Sequence, residues 1–449
     1  GLSTGIHYPP LESTRYRGFG GSSALWGTHP GDFGNGSLVA RALDREDFKP
    51  RDWVPDSGWP VDAEALSTYY RFAGEFLGTG SSDFPTCSET EGDSGLRLAD
   101  DALVDTEFRF GNAIRLHHDH RKALEEAQDI RLITDSTVIE LHGNDSGSHV
   151  DRVIVRHGDG RTRAVRAQRF VLACGGIENP RLLLAARGRQ GIGNEHDLVG
   201  RYFMEHPHGT TGVFVPASPE IEKRLAPYHI QEDGQSMRTR KHLTIAEPLL
   251  RRERLLRYVA NLWPAEAEPD WMPDDLVNVA ARYVAGLDRP VRIHAISWMS
   301  EQAPNPLSRV TLADELGPDG VPLPCLDWQL SELDIRTMIR GQQIVQEEIH
   351  IARLGTVFTR QHRDAQGGFL APLWGGYEAT IDVAHHHMGT TRMHDDATRG
   401  VVNADCRIHG CDNLYIAGSS VFPTSGHANA TLTIVALAAR LAEHLAATR

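Results

Sequence analysis

A short apolar run in this chain ends in glycines just before a helical stretch, and that layout limits the folds open to it. Phe170-Val171-Leu172-Ala173 leads into Gly175-Gly176 and then Pro180-Arg-Leu-Leu-Leu-Ala-Ala-Arg. Leu414-Tyr415-Ile416-Ala417 leads into Gly418-Ser419, and residues 431–446 read as a helix that is apolar on most faces and so internal. The first apolar run is expected to be a strand buried on both faces, and the second a buried strand. Strand, glycines, helix is the order that lets backbone approach a dinucleotide.

At 449 residues the chain is too long for one simple core, and two domains are expected. A net charge of −14 argues against nucleic acid or an anionic membrane as partner. Apolar content is that of a soluble globular protein, and no apolar run approaches the roughly 18–20 residues of a membrane span. The five cysteines, Cys87, Cys174, Cys325, Cys406 and Cys411, are odd in number and scattered, which fits reduced thiols. Cys406 and Cys411 could be read as a metal or redox pair, but no second pair stands near them. Basic charge is nearly all Arg, the lysines being Lys49, Lys122, Lys223 and Lys241, which suits a GC-rich genome and says nothing of function. The chain begins at Gly1, so no leader peptide can be read and the natural N-terminus is expected upstream.

Residues 15–28 form a Gly-rich turn. Asp62 is a good N-cap, and Leu66, Tyr69, Tyr70 and Ala73 recur at helical spacing. A second helix is expected over Asp119–Gln128. Val138–Leu141, Val150–Arg156 and a third run ending near Ala167 form a three-strand meander. Ile293–Met299, Ser308–Leu312 and Leu326–Trp328 read as strands of one separate sheet, and Ser331–Glu348 as an amphipathic helix. The strand pattern of residues 206–382 marks a substrate domain, set between a first domain at 1–205 and its return at 383–449.

Residues 384–394 read Ala-His-His-His-Met-Gly-Thr-Thr-Arg-Met-His. Residues 413–433 contain Gly418-Ser-Ser-Val-Phe-Pro-Thr-Ser-Gly-His-Ala-Asn429-Ala430-Thr431. Together they resemble the C-terminal signature of the glucose–methanol–choline (GMC) flavin oxidoreductases. Three more segments extend the resemblance: Gly20-Gly21-Ser22-Ser23-Ala-Leu-Trp26-Gly27, Ala173–Leu184, and Leu198-Val-Gly-Arg-Tyr-Phe-Met-Glu-His-Pro. In the middle block it rests on Glu301-Gln302-Ala-Pro-Asn305 with Ser308-Arg-Val. The resemblance implies a mixed α/β (α+β) fold, with a discontinuous Rossmann-like FAD-binding domain and a substrate domain on its own sheet. It implies FAD contacts from Gly20, Gly21, Ser22, Ser23, Trp26, Gly27, Val138, Cys174, Gly175, Gly176, Gly418, Ser419, Asn429, Ala430 and Thr431. His386 and Asn429, 43 positions apart, would face the flavin as the catalytic pair, and Gln302 would join them at the substrate.

Leu25 stands where related pyranose oxidases carry the His that links flavin, so non-covalent FAD is expected. Asn429 in place of a second His resembles the pyranose-oxidase branch. Gly-Thr-Thr-Arg-Met resembles bacterial sugar dehydrogenases and glycoside 3-oxidases. The implied reaction oxidises a secondary hydroxyl of a sugar, glycoside or cyclitol to a ketone, with oxygen, quinone or another electron acceptor. A homo-oligomer or accessory-subunit arrangement is open, and a cytoplasmic location is expected, with a periplasmic one as the alternative. A non-redox lyase on the same fold and a non-catalytic assembly subunit are the rival functions. The family's opening strand and G-x-G-x-x-G turn are not in this sequence. Gly18-Phe-Gly20-Gly21-Ser-Ser23 does not replace them, so a missing segment is expected.

The chemistry asks for these residue types. A neutral His can take a hydroxyl proton near working pH. An Asn amide can donate to the developing alkoxide without adding charge. The start of a helix near Thr431 would offer free N–H groups where reduced flavin gains negative charge. Simpler readings compete. His385-His386-His387 could hold a metal, although adjacent residues point different ways. His387, His394, His409 and His427 suit structural or surface roles, with His427 the rival proton acceptor. Cys174 suits a small core position, Gln302 a strand-end cap, and His206 either packing or cofactor contact.

Overall fold

The computed structural model describes residues 1–25, 37–80, 95–99, 101–112, 115–232, 238–264, 293–359 and 381–448. Trp26, Gly27 and Cys87 lie outside them. Among the described residues the fold mixes helix and sheet, as expected.

The largest sheet has nine strands. Its members are β2 (Ser37–Ala40), β3 (Leu103–Asn112), β8 (Pro207–Pro216), β9 (Gln231–Glu232), β10 (Arg238–Ile245), β11 (Tyr258–Pro264), β12 (His294–Ser300), β15 (Gly355–Thr359) and β16 (Asp382–Val383). Its main order is β15-β8-β12-β11-β10-β3-β2. One face is covered by α7 (Glu332–Ile351), whose Ser331 accepts from the Asp334 N–H in a capping box. Met338, Ile344, Val345 and Ile349 of α7 pack with Leu243, Leu262, Ile296 and Trp298 of the sheet. The other face carries Phe108, Phe110, Val259 and Met299, and Phe108 reaches His427 with ring centroids 6.2 Å apart. Strand alternation thus turns one side to a core and the other toward the C-terminal loops.

The strands expected to share one sheet divide between two. β12 joins the nine-stranded sheet, whereas β13 (Arg309–Leu316) and β14 (Pro322–Trp328) pair with each other and with β1 (Leu2–Gly5). The meander forms as read, from β4 (Ser136–Gly143), β5 (Val150–His157) and β6 (Thr162–Val165). The helix after Asp62 is α1 (Ala63–Phe76), and Asp62 accepts the Ala65 N–H at 2.8 Å. The second helix is broken at His120 into α2 (Leu116–Asp119) and α3 (Arg121–Glu126). Short helices α5 (Pro219–Arg224) and α6 (Glu247–Glu253) flank the large sheet.

The two apolar runs lie side by side as strands. β7 (Phe170–Leu172) pairs in parallel with β17 (Leu414–Ile416). They are followed by α4 (Gly175–Arg189), kinked at Ala186–Gly188, and by α8 (Ala430–Ala447). Only β17 is buried throughout; β7 buries Phe170 and Leu172 on one face, while Val171 on the other is 43% exposed. Cys174, expected in the core, is exposed. α8 likewise buries one stripe (Leu432, Ala436, Leu437, Leu441) against α1, β17 and neighbouring loops, not its whole circumference. By length and composition alone α8 would suit a membrane span, which no run read from the sequence was expected to do; 33% of that window is buried in the fold.

Candidate active site

Residues 388–393 are threaded between two other segments. Met204 and Met388 exchange backbone bonds at 3.0 Å. On the other side Gly389, Thr391 and Met393 donate to the carbonyls of Ser419, Ser420 and Val421 at 3.1, 2.8 and 2.8 Å. Pro180 has no N–H to offer inside α4, so the Gly176 carbonyl one turn earlier is free of it. The Thr390 hydroxyl takes that carbonyl at 2.6 Å. These bonds fix the His-rich segment against the loop that ends in Asn429.

The result is that His386 and Asn429 meet. Asn429 Nδ2 lies 3.5 Å from His386 Nε2. Within 419–430 every residue except Asn429 is buried, and His386 is itself half-buried, so the pair sits at an opening of an otherwise closed block. Asn429 is the N-cap residue of α8, and its side chain makes no cap bond. The amide therefore faces His386, and the first-turn N–H groups of an 18-residue helix lack a side-chain cap.

Behind His386 is a buried polar cluster that the sequence reading mostly missed. Glu205, fully buried, accepts the His386 backbone N–H at 2.9 Å, the His206 backbone N–H at 3.1 Å and the Tyr8 hydroxyl at 2.5 Å. Burial pushes its carboxyl up to about 7, against those donors, which lower it. His206 Nδ1 is 2.8 Å from His386 Nδ1, and His206 Nε2 faces the carbonyls of Gly426 at 2.9 Å and Ser425 at 3.3 Å. Burial lowers His206 to about 4, partly offset by those carbonyls. Burial, then the imidazoles of His206, His208, His385 and His387, hold His386 well below the usual His range, so it is neutral near pH 7. The only sequence signal for this cluster was the Glu-His-Pro triplet at 205–207.

His427, the rival base, points elsewhere. One ring nitrogen lies within 4.8 Å of carboxylate oxygens of Asp44 and Asp47, and neither ring nitrogen has a hydrogen-bond partner. Those three groups have ligand character, yet the carboxylates are already held by cations. Arg41 donates to Asp44 and Arg257 to Asp47, each at 2.7 Å. Arg51 grips Glu301 with bonds of 2.8 and 2.5 Å in the same buried layer. A divalent ion would add charge to a balanced network. His394 and His409 take structural roles: His394 Nδ1 accepts the Asp396 N–H at 2.9 Å, and His409 Nε2 donates to the His394 carbonyl at 2.8 Å.

Gln302 is corrected from substrate contact to a structural role. It is fully buried; its oxygen accepts from the Glu205 N–H and Trp328 Nε1, and its nitrogen donates to the Gln329 carbonyl. Several expected cofactor residues are likewise used by the protein. A Cβ on Gly176 would lie 2.5 Å from the His387 carbonyl, so that glycine serves a close backbone approach. Gly20 packs against His117 in the same way. Ser23 donates to the Gly20 carbonyl, Ser419 to the His387 carbonyl, and Ser22 accepts the Tyr16 N–H. Val138 is half-buried in β4. By contrast Gly21, Gly175 and Gly418 open on space, and Cys174 is exposed and Thr431 half-buried.

Residues 304–438 match the family model described as GMC oxidoreductase. Residues 304–438 thus carry the C-terminal domain of the GMC oxidoreductases. It is 25% identical over 321 residues to the fructose dehydrogenase large subunit of Gluconobacter japonicus, covering 69% of this chain and 53% of that protein. It is 28% identical to paromamine 6'-oxidase of Streptomyces fradiae, over 64% of this chain and 46% of that one. A C-glycoside 3-oxidase of Microbacterium trichothecenolyticum is 34% identical over 129 residues, 28% of this chain and 22% of that protein. The chain thus spans about half the length of the first two of these relatives. A solved formate oxidase matches the fold with a TM-score of 0.55 at 15% identity, over 97% of this chain and 85% of that one.

Proposed function

We propose that the full-length protein is an FAD-dependent oxidoreductase that converts a secondary CH–OH of a sugar, glycoside or cyclitol to a ketone. The observation that carries this is the approach of His386 Nε2 and Asn429 Nδ2 to 3.5 Å at the uncapped start of α8. The residues present fit the cofactor. Gly175, at φ +82°, and Gly418, at φ +122°, hold backbone shapes that favour glycine, and a Cβ on either would meet no atom within 4 Å. Both loops can therefore lie close to a flat ring or a phosphate. With Cys174, Ala430 and Thr431 they would hold the FAD. Leu25 offers no nucleophile for a covalent link. When bound, FAD supplies the hydride acceptor.

The protein's own groups do the rest. His386, neutral at working pH, takes the hydroxyl proton of the substrate. Asn429 donates to the same oxygen as it becomes an alkoxide and so points the C–H bond. The α8 N-terminus faces this region with unpaired N–H groups and the positive end of the helix dipole. Substrate contacts are assigned to residues 206–382, on the sheet face that carries Phe108 and Met299, with β2 and β3 contributing from the first part of the chain. Relatives named for fructose, paromamine and a C-glycoside support the sugar class.

The test is an anaerobic titration of the yellow full-length protein with sugars and glycosides, followed by acid precipitation. Flavin bleaching by sugars, together with colour released into the supernatant, is expected. Colour that no sugar bleaches would exclude the oxidoreductase reading, and flavin retained in the pellet would exclude the non-covalent one.

A further inference from the structure

We propose that His206 is a positioning residue that fixes the tautomer of His386, keeping Nε2 of His386 free of a proton and open to the substrate. The inference rests on His386 being the base. The chain of bonds starts at Gly426. A carbonyl can only accept, so His206 Nε2, 2.9 Å from the Gly426 oxygen and 3.3 Å from that of Ser425, carries the hydrogen. His206 is buried and neutral, so its Nδ1 keeps a lone pair. His386 Nδ1 lies 2.8 Å from that atom, and two lone pairs cannot share such a distance. The hydrogen between them must sit on His386 Nδ1. A neutral His386 then has its lone pair on Nε2, the nitrogen that faces Asn429. The rings meet edge-on at 86° with centroids 5.0 Å apart, so the contact is between ring edges and not stacked faces.

The backbone supports the same orientation. Glu205 holds the backbone N–H groups of both histidines through one oxygen, Oε2. A His386 with the opposite tautomer would set a lone pair against the lone pair of His206 and turn an N–H toward the substrate hydroxyl. It could not take the proton. The partner that a metal-bound His finds in a carboxylate or carbonyl is supplied here by a second imidazole, itself fixed by a loop carbonyl.

The test uses the full-length flavoprotein with ¹⁵N-labelled histidine, and three variants. His206→Phe keeps the ring shape and removes the acceptor. His206→Asn places an amide oxygen near the position of Nδ1. His386→Gln assigns the His386 signals by their loss. In the parent, His386 should show a protonated Nδ1 and a bare Nε2, and His206 the reverse. His206→Phe should lose this pattern and slow anaerobic flavin reduction by roughly ten- to hundredfold, the range for leaving one buried donor unpaired. Flavin content and the concentration of sugar giving half-maximal reduction should hold. His206→Asn should restore the pattern and most of the rate. A bare Nδ1 on His386 in the parent, or a His206→Phe protein with unchanged pattern and rate, would overturn the proposal. So would a His206→Asn protein that keeps its flavin but is as slow as His206→Phe. A parent that no sugar reduces would instead defeat the oxidoreductase reading, and the nitrogen pattern alone would then decide the role of His206.

Discussion

Gly426 does more than turn the chain: its carbonyl is the fixed end of the hydrogen-bond chain that reaches His386. Its φ is +58°, and a Cβ there would meet Leu43 Cδ2 at 2.6 Å and Asp47 Oδ2 at 3.1 Å. Gly426→Ala should therefore cost about 1–2 kcal/mol from the left-handed backbone alone. It should also slow flavin reduction, since the clash pushes the loop carrying Asn429. A denaturation midpoint and a rapid-reaction trace check both, and an unchanged rate would mean that the loop carbonyl does not set the base. At this scale the sequence revealed the pair but not its support. His386 and Asn429 stand in motifs that can be read in line. The partners of His206 lie 180 and 220 positions away, and Glu205 looks like any acidic residue until burial shows what it holds. Gln302 misled for the converse reason: an amide beside a motif is free to bind substrate only if the fold has not already used it.

Among the elements, those with strong local signals were legible. Asp62 and Ser331 cap the helices expected after them, and the meander at 136–165 follows its turns. What local pattern does not encode is the partner. β13 and β14 were readable as strands, but only tertiary contacts decide that they pair with β1 and not with β12. β3 was not read at all, because its alternation is masked by charge: Asp105 and Arg109 are buried on it, Asp105 meeting Lys241 at 3.1 Å and Tyr228 at 2.6 Å. β7 looked doubly buried from composition, yet only the face of Phe170 and Leu172 is covered and Val171 is open. The joint between α4 and the His-rich segment gives a test at this scale. Thr390→Val removes the one hydroxyl that serves the Gly176 carbonyl, which Pro180 cannot serve. The variant should lose about 1–3 kcal/mol in urea unfolding, and a change within a few tenths would show that the carbonyl finds another donor.

For the whole molecule, the same buried imidazoles that make a base available make the fold sensitive to acid. Among the described residues His206, His242, His386, His387 and His427 are all lowered, with burial the first cause in each. Each is neutral when folded and binds a proton near pH 6.5 once unfolded, so stability is lost as pH falls below 6.5, toward about 4 for His206 and about 3 for His387 and His427. Glu205 at about 7, with Asp47 and Asp334 at about 6, act in the opposite sense over part of that range, since they are protonated when folded and ionised when unfolded. These imidazoles, with His208 and His394 lowered in the same way, outnumber the three raised carboxyls, so unfolding should become easier from pH 6.5 to pH 4. Glu205→Gln removes one opposing group and should steepen that loss by about 1.4 kcal/mol per pH unit, one proton's worth. Denaturant midpoints across this range check the slope, and an equal slope in both proteins would place the Glu205 carboxyl nearer its ordinary value. The central claim, that His386 takes the proton and Asn429 holds the oxygen, is tested most directly by anaerobic flavin reduction against pH in single variants. His386→Ala should slow reduction by roughly 10²–10⁴-fold with flavin still bound, and should lose the acidic limb of the profile. In the parent that limb should lie well below pH 6.5, where His386 titrates. Asn429→Ala should slow reduction and keep the limb. The contradicting result is a His427→Ala protein without the acidic limb beside a His386→Ala protein that retains it.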